Sequence, residues 1–381
     1  MARGGNETAI EMRSSRPQVS VKRCRRKVQF WRTIPIGLHR NLLGGYPFCS
    51  GLFTIDCRCR FHMPLTLSEY ADSLAERDLI WPQVPAPKPV KAKPAIAPLP
   101  GIQVVMWDVY GTLLRTTDGG FSLFPNPEVR LQVALEKTIL EFNMWNSMYR
   151  KPGPPWQSMM PQYRDYVERV SMVPTKRKGD FTDVNLVSIW KAILDRLFDK
   201  DYKYDQGVYG NEDQLSEKIA YFFHCNLQAT EARAGAVRAM TDLAEVGVMQ
   251  GILADGQSFT FVQLVQALTK QGLVMPMRDI IRTGATLFSY QMAIRKPSQS
   301  LFQQAVEQLE AMGVSPEQTL HVSCRLPTDL VPAKAAGMKT ALLVSEKTGL
   351  EAPADLIKDP QTRPDRLLTD ITQITSVVQP E

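Results

Sequence analysis

The chain has 381 residues, 44% of them apolar and 22% charged, which is enough to bury more than one core. No run of 18 uninterrupted apolar residues occurs, so no membrane-spanning helix is expected. The formal charge of +6 sits at the N-terminus: Met1 to His62 holds twelve Lys/Arg against Glu7, Glu11 and Asp56, so the remaining 319 residues sum to −3 and only the tail, not the globular part, has an electrostatic reason to seek nucleic acid.

Residues 1–62 read as a basic, disordered tail. Lys22, Arg23, Arg25, Arg26 and Lys27 would suit an anionic partner, whereas Arg32, His39 and Arg40 interrupt any secretory apolar run. Met63-Pro64-Leu65-Thr66 looks like a natural start, which favours a tail without function. Six cysteines are too sparse for a disulfide framework, and Cys57-Arg58-Cys59 has no second pair at zinc-ligand spacing. A reducing, cytoplasmic setting is expected.

Residues 63–101 read as a short helix, Leu67 to Arg77 with Ser68 and Glu69 near its start, followed by a linker. Pro82, Pro85, Pro87, Pro89, Pro94, Pro98 and Pro100 alternate with Lys88, Lys91 and Lys93, a composition that predicts an extended, semi-rigid segment with order beginning after it. Ile102 to Trp107 is an apolar run of β-formers ending in Asp108, as a buried parallel strand would be. Between 119 and 232 the pattern turns helical over Val129–Phe142, Tyr163–Val170, Val184–Leu197 and Gln214–Phe223, with no convincing strand.

Strand and helix then alternate: a helix over Ala236–Val246 stopped by Gly247, a strand over Val248–Ala254, and a helix through Phe261 to Leu268 ending at Gly272. A strand at Asp279–Arg282, a helix through Leu301 to Leu309, a strand at Thr319–Ser323 and a helix over Asp329–Ala336 follow. Strands at Thr340–Val344 and Arg366–Thr369 and a helix over Ile371–Val378 complete the series. The class predicted is α/β, a doubly wound, Rossmann-like parallel sheet built from 102–118 and 233–381, with 119–232 inserted as a helical cap over the carboxyl ends of the strands.

Asp108-Val109-Tyr110-Gly111-Thr112-Leu113 puts a carboxylate at a strand tip before a tight glycine turn, where a side chain can act as a covalent nucleophile. This segment resembles the first motif of the haloacid dehalogenase superfamily, Asp-x-Asp-x-Thr, and its Asp-x-Tyr-Gly-Thr-Leu form is similar to the 2-haloacid dehalogenase branch. Arg295-Lys296-Pro297-Ser298 fits the family's lysine motif. His321-Val322-Ser323-Cys324, Asp329 and Ala333-Lys334-Ala335-Ala336-Gly337-Met338 fit its fourth motif. The resemblance runs from Ile102 to Val378 and is weakest in the cap.

The resemblance implies a hydrolase in which Asp108 attacks a small anionic substrate, either a 2-haloacid or a phosphate ester. Lys296 would hold the anions, Asp329 would orient water or Lys296, and Tyr110 would line the pocket. Thr112, Asp255, Gly256 and Ser323 are the substrate-binding candidates, and Arg115 and Arg325 could bind an acid group.

The departures carry equal weight. Tyr110 stands where family phosphatases have an acid that protonates the leaving alkoxide, a loss that matters less for a halide. Leu253-Ala254-Asp255-Gly256 offers no hydroxyl at the second motif, and Asp255 would repel an anion unless protonated or paired. Ser323-Cys324 replaces the usual Gly-Asp of the fourth motif. Mg2+ held by Asp108, the Tyr110 carbonyl and Asp329 would therefore be weakly bound, and dehalogenase-like chemistry needs no metal. The bland readings are that Thr112 caps a helix, Tyr110 packs, Lys296 is a solvated loop lysine, Asp329 favours a helix dipole and Cys324 is a small buried side chain. The alternative function is a catalytically inactive relative kept as a binding or scaffold module.

Overall fold

In the computed structural model, residues 63–148 and 152–378 are described. The expectations for the basic tail and for Cys57 and Cys59 lie outside the described residues. Among the described residues the strands are β1 (Val104–Trp107), β2 (Leu114–Thr116), β3 (Phe181–Thr182), β4 (Thr230–Ala232), β5 (Met249–Ala254), β6 (Ile281–Phe288), β7 (Ile294–Arg295), β8 (Thr319–Ser323), β9 (Lys339–Leu343) and β10 (Arg366–Leu368). Six of them form one parallel sheet in the order β10-β9-β8-β1-β5-β6.

Helices cover both faces because the strand pattern demands it. Val105 and Trp107 of β1 pack with Leu320, Ile252 and the helices Ala236–Glu245 and Thr260–Lys270, while Val104 and Met106 pack with Leu253, Leu287 and the helix Gln299–Glu310. With every β1 residue buried, the apolar run is what a central parallel strand requires. From β1 the chain steps to β5 and β6 on one side and later to β8, β9 and β10 on the other. That reversal opens a crevice at the carboxyl ends of β1 and β8.

Residues 119–232 hold helices Val129–Glu141, Pro155–Ser171, Leu186–Phe198 and Glu212–Leu227, which share a core of their own around Leu135, Trp190 and Phe223. The expectation of no strand here needs correction. β3 pairs antiparallel with β7, and β4 pairs antiparallel with β2. Both ribbons are too short to leave a period-2 signal.

Three other expectations shift. The strand placed at Asp279–Arg282 begins too early and ends too soon: Met277–Ile280 is a helical turn, and β6 runs from Ile281 to Phe288. The helix placed at Asp329–Ala336 is a π-helical turn, Leu326–Leu330, followed by the helix Val331–Ala335. The first helix is Leu67–Ala75, and its cap is Thr66, whose side chain accepts from the Glu69 N–H in a capping box.

The proline-rich segment does not wait outside the order. Ala95 exchanges backbone hydrogen bonds with Leu367 of β10 at 2.9 and 3.1 Å, Leu99 donates to the Val377 carbonyl at 2.8 Å, and the Leu99 side chain is buried. An edge strand is where proline is tolerated, since its missing N–H faces away from the ladder.

Candidate active site

The sheet brings four motif residues to one point. Asp108, at the tip of β1, is fully buried, with Oδ1 accepting from Lys296 Nζ at 3.1 Å and Oδ2 from Thr112 Oγ1 at 3.0 Å. Lys296 follows β7, is itself buried, and also donates to the Leu253 carbonyl at 2.8 Å and to Asp329 Oδ1. Asp329 lies in the π-helical turn after β8, likewise fully buried. Burial rules out the solvated-loop reading of Lys296, while Asp329 stands in the first turn of its helix and meets the dipole as well as Lys296.

The turn after Asp108 is fixed by close approach. Gly111 has φ +93°, and a Cβ there would stand 2.3 Å from the Gly119 carbonyl oxygen and 2.9 Å from Cys324 Sγ. Arg233 clamps the same turn, donating to the Thr112 carbonyl at 2.6 Å and the Gly111 carbonyl at 2.5 Å while pairing with Glu346 at 3.0 Å.

Sequence reasoning missed one partner here, His321, and left a second among two candidates. His321 Nδ1 donates to the Met106 carbonyl at 3.0 Å, and its Nε2 meets Asp329 Oδ1 at 3.1 Å. Its place in an apolar strand hid it. Arg325 was one of two candidate arginines, and it enters the site: Nη2 donates to Asp108 Oδ2 at 3.1 Å and Nε to Asp329 Oδ2 at 3.1 Å. Arg115 does not, because its guanidinium is occupied by Glu346 at 2.9 Å, Glu231 and the Pro85 carbonyl at 2.8 Å.

The charges settle one another. Burial works to raise the Asp329 carboxyl, but Lys296 and Arg325, with His321, outweigh it and hold the group well below the usual carboxylate range. Burial likewise opposes the charge on Lys296 and on Arg325, and in each case Asp108 and Asp329 overcome it and hold the group above its ordinary value.

The other candidates are placed less directly. Tyr110 directs its hydroxyl to Thr260 Oγ1 at 3.0 Å and to Gln263 Oε1 at 2.6 Å, and burial pushes the phenol well above its ordinary range. Asp255 accepts from the Lys296 backbone N–H at 2.9 Å, and burial, partly offset by Lys296, pushes its carboxyl up to about 6. Gly256 gives its N–H to Ser289 Oγ at 2.9 Å, and a Cβ there would meet Phe288 at 2.8 Å, so close packing explains the glycine. Ser323 Oγ accepts from the Arg325 N–H at 3.2 Å. Burial pushes the Cys324 thiol up to about 11, and the thiol donates to the Gly349 carbonyl at 3.2 Å, which suits a packing role.

A cleft of about 1020 Å³ opens above these residues, lined by Tyr110, Asp183, Asp255, Lys296 and Arg325, with Arg295 at its side. Asp183, just after β3, is buried with Oδ2 unpartnered, and Thr328 Oγ1 in the same lining is also unpartnered. Burial pushes the Asp183 carboxyl up to about 7, opposed by Ser289 and reinforced by Asp255. A second cleft of about 960 Å³, lined by Ala71, Trp81 and Arg115 among others, contains none of the motif residues.

The donor set does not fit the divalent cation that the resemblance implies. Asp108 Oδ2, the Tyr110 carbonyl and Asp329 Oδ2 each already accept from the Arg325 guanidinium. Among the described residues no group of three or more His, Cys, Asp or Glu side chains could hold a metal, and no helix is long and apolar enough to cross a membrane.

Comparison with known proteins gives a match to one family model over part of the chain and a set of distantly similar solved structures. Among curated proteins, none matches the sequence. A solved 2-haloacid dehalogenase from Pseudomonas syringae pv. Tomato is 17% identical, covers 72% of this chain and 96% of its own, and has a TM-score of 0.43. An L-2-haloacid dehalogenase from Xanthobacter autotrophicus is 16% identical over the same shares, with a TM-score of 0.37. CbbY from Rhodobacter sphaeroides, in complex with phosphate, is 18% identical over 72% and 96%, also at 0.37. Residues 293–374 match the family described as HAD-hydrolase-like. That stretch takes in Lys296 and Asp329, and there the sequence is similar to the family model.

Proposed function

We propose that the chain is a hydrolase that uses Asp108 as a covalent nucleophile on a small anionic substrate. The observation that carries this reading is the Asp108 carboxylate at the tip of the central strand, held by Lys296, Thr112 and Arg325 beneath a cleft with lysine and arginine in its lining. The helices of 119–232 serve as the cap that closes the cleft. In a reducing setting such as the cytoplasm, Cys225 and Cys324 would remain the free thiols they are.

A 2-haloacid suits the site better than a phosphate ester. An Asp108 oxygen displaces halide at carbon, and the C–X electron pair leaves with the halide, which needs no proton. Water then attacks the aspartyl carbonyl carbon, the bond from that carbon to the ester oxygen breaks, one proton of the water leaves with the 2-hydroxy acid and the other goes to solvent. An alkoxide leaving group would need an acid at position 110, where the phenol is bound to Thr260 and Gln263. Lys296 and Arg325 stabilise the carboxylates throughout, and Asp329 positions both cations.

The second reading is an anion-binding module without turnover. One observation favours it: Asp108 is fully buried and does not line the cleft, whereas Lys296 and Arg325 do. A panel of 2-haloacids and phosphate esters, assayed with wild type, Asp108→Asn and Lys296→Ala, separates the two. The hydrolase reading expects turnover that both substitutions abolish. Turnover surviving Asp108→Asn would end the covalent mechanism, and anion binding without turnover in wild type would leave the binding module.

A further inference from the structure

Three oxygens were assigned to a divalent cation from the sequence: the Asp108 carboxylate, the Tyr110 carbonyl and the Asp329 carboxylate. One side chain reaches all three. Arg325 donates through Nη2 to Asp108 Oδ2 at 3.1 Å, through Nη1 to the Tyr110 carbonyl at 3.0 Å and through Nε to Asp329 Oδ2 at 3.1 Å. Every nitrogen of the guanidinium is engaged with the would-be ligand set. The remaining oxygen of each carboxylate, Oδ1, accepts from Lys296.

Charge and geometry agree. Two buried carboxylates face two buried cations, so the cluster balances without an ion. A Mg2+ on the same oxygens would need ligands at about 2.0–2.1 Å in a near-octahedral shell. It would also add two positive charges beside Lys296 and Arg325 in a site shielded from water, where like charges repel strongly.

The surrounding chain is shaped to hold the arginine. The Arg325 N–H is fixed by Ser323 Oγ, while the Leu326 N–H donates to the Glu351 carbonyl at 2.7 Å and the Glu351 N–H to the Cys324 carbonyl at 3.0 Å. Gly120 leaves room for the head group, since a Cβ there would stand 3.1 Å from Nη1. Only a planar fork can satisfy three acceptors in different directions at once; a lysine ammonium is a point charge on a flexible stem.

We propose that the Arg325 guanidinium is a built-in cation that occupies the divalent-metal position and makes this site independent of metal. The inference rests on the hydrolase reading only for its catalytic consequence, and its test reads metal binding and not turnover.

Mn2+ is titrated into wild type, Arg325→Ala, Arg325→Gln, Asp329→Asn and Arg325→Ala/Asp329→Asn, with free Mn2+ read by electron paramagnetic resonance and folding checked by circular dichroism. Wild type is expected to leave Mn2+ free at millimolar concentration. Arg325→Ala is expected to bind it at least roughly tenfold more tightly, because the repelling cation is gone and three oxygens are exposed. The gain is expected to vanish in the double variant. Arg325→Gln keeps side-chain bulk without charge and carries the same expectation if the alanine variant fails to fold. Wild-type binding that is lost in Asp329→Asn would overturn the proposal, and so would a folded Arg325 variant that binds no better than wild type. Failure of the hydrolase reading looks different: no substrate turns over, and the metal results stand.

Discussion

Lys296→Met tests the charge cluster most directly. The lysine is 2% exposed, and its ammonium joins Asp108 Oδ1, Asp329 Oδ1 and the Leu253 carbonyl. Methionine keeps most of the volume and removes the charge. Breaking a buried pair by deleting one partner costs about 3–5 kcal/mol, because the other charge stays buried without compensation. At roughly 2–4 °C per kcal/mol for a domain of about this size, the melting temperature should fall by on the order of 10 °C. The sign with pH follows from the direction of each shift. Lys296 is held above its ordinary value, so its contribution is constant across neutral pH and is lost only as pH rises through its folded value. Asp329 is held low, so its contribution is present above its ordinary 3.8 and is lost as pH falls below that. The variant has less of the second contribution to lose, and the gap between it and wild type should narrow as the solution is acidified below about pH 4. Thermal and urea unfolding at pH 7 and in acid measure both. Adding Asp329→Asn should recover part of the loss, with a coupling of up to about 3 kcal/mol. A Lys296→Met protein as stable as wild type at pH 7 would refute the buried ion network.

Tyr110→Phe removes a phenol bound to Thr260 and Gln263, and should cost about 1–2 kcal/mol in chemical unfolding through the Gln263 carbonyl and the Thr260 hydroxyl left unpaired. If the phenol is no proton donor, haloacid turnover by that variant should match wild type. Asp183 is raised from 3.8 to about 7, so its protonated form stabilises the fold below pH 4 and that contribution is lost as pH rises through 7. Asp183→Asn should therefore equal wild type near pH 4 and exceed it at pH 8, with a ceiling on the order of 4 kcal/mol; equal melting at both pH values would contradict the buried carboxyl. A chain beginning at Gly101 should be less stable than one beginning at Met63 by several kcal/mol, since Tyr70 and Leu74 are buried at about 1.5–3 kcal/mol each. Equal melting of the two would show that the proline-rich segment and its preceding helix contribute nothing.

The sheet was legible where a period was long enough to count. Alternating helix stripes and apolar strands from 236 to 378 gave the parallel sheet, and the four helical patterns between 119 and 232 each met a helix. Failures had local causes. β6 is an edge strand with Arg282, Thr283 and Gly284 exposed in a row, so its polar stretch read as loop and its start was placed too early. β3 and β7 are two residues each, and a pair that short is specified by what it packs beside. The proline-rich run misled because composition says what a segment cannot do in a sheet interior, not at its rim. Ala95 supplies both the N–H and the carbonyl that the β10 edge needs, and the prolines around it need supply neither.

For the site, motif spacing located Asp108, Thr112, Lys296 and Asp329, because each must stand at the end of a strand or just past it. Arg325 was weighed only as one of two common surface arginines, and no periodicity separates it from Arg115. What separates them is the partner each meets: Glu346 for Arg115, and the Asp108–Asp329 pair for Arg325. The altered fourth motif then reads as a single change. Cys324, where the motif it resembles has a carboxylate, lies against Gly111 and gives its thiol to Gly349, so that position offers no acid to a metal shell. The next residue brings the guanidinium. A cation site stripped of one carboxylate and left empty would hold Asp108 and Asp329 as like charges with only Lys296 between them. With Arg325 in place both carboxylates are matched, so a cysteine at position 324 and an arginine at 325 suit one another.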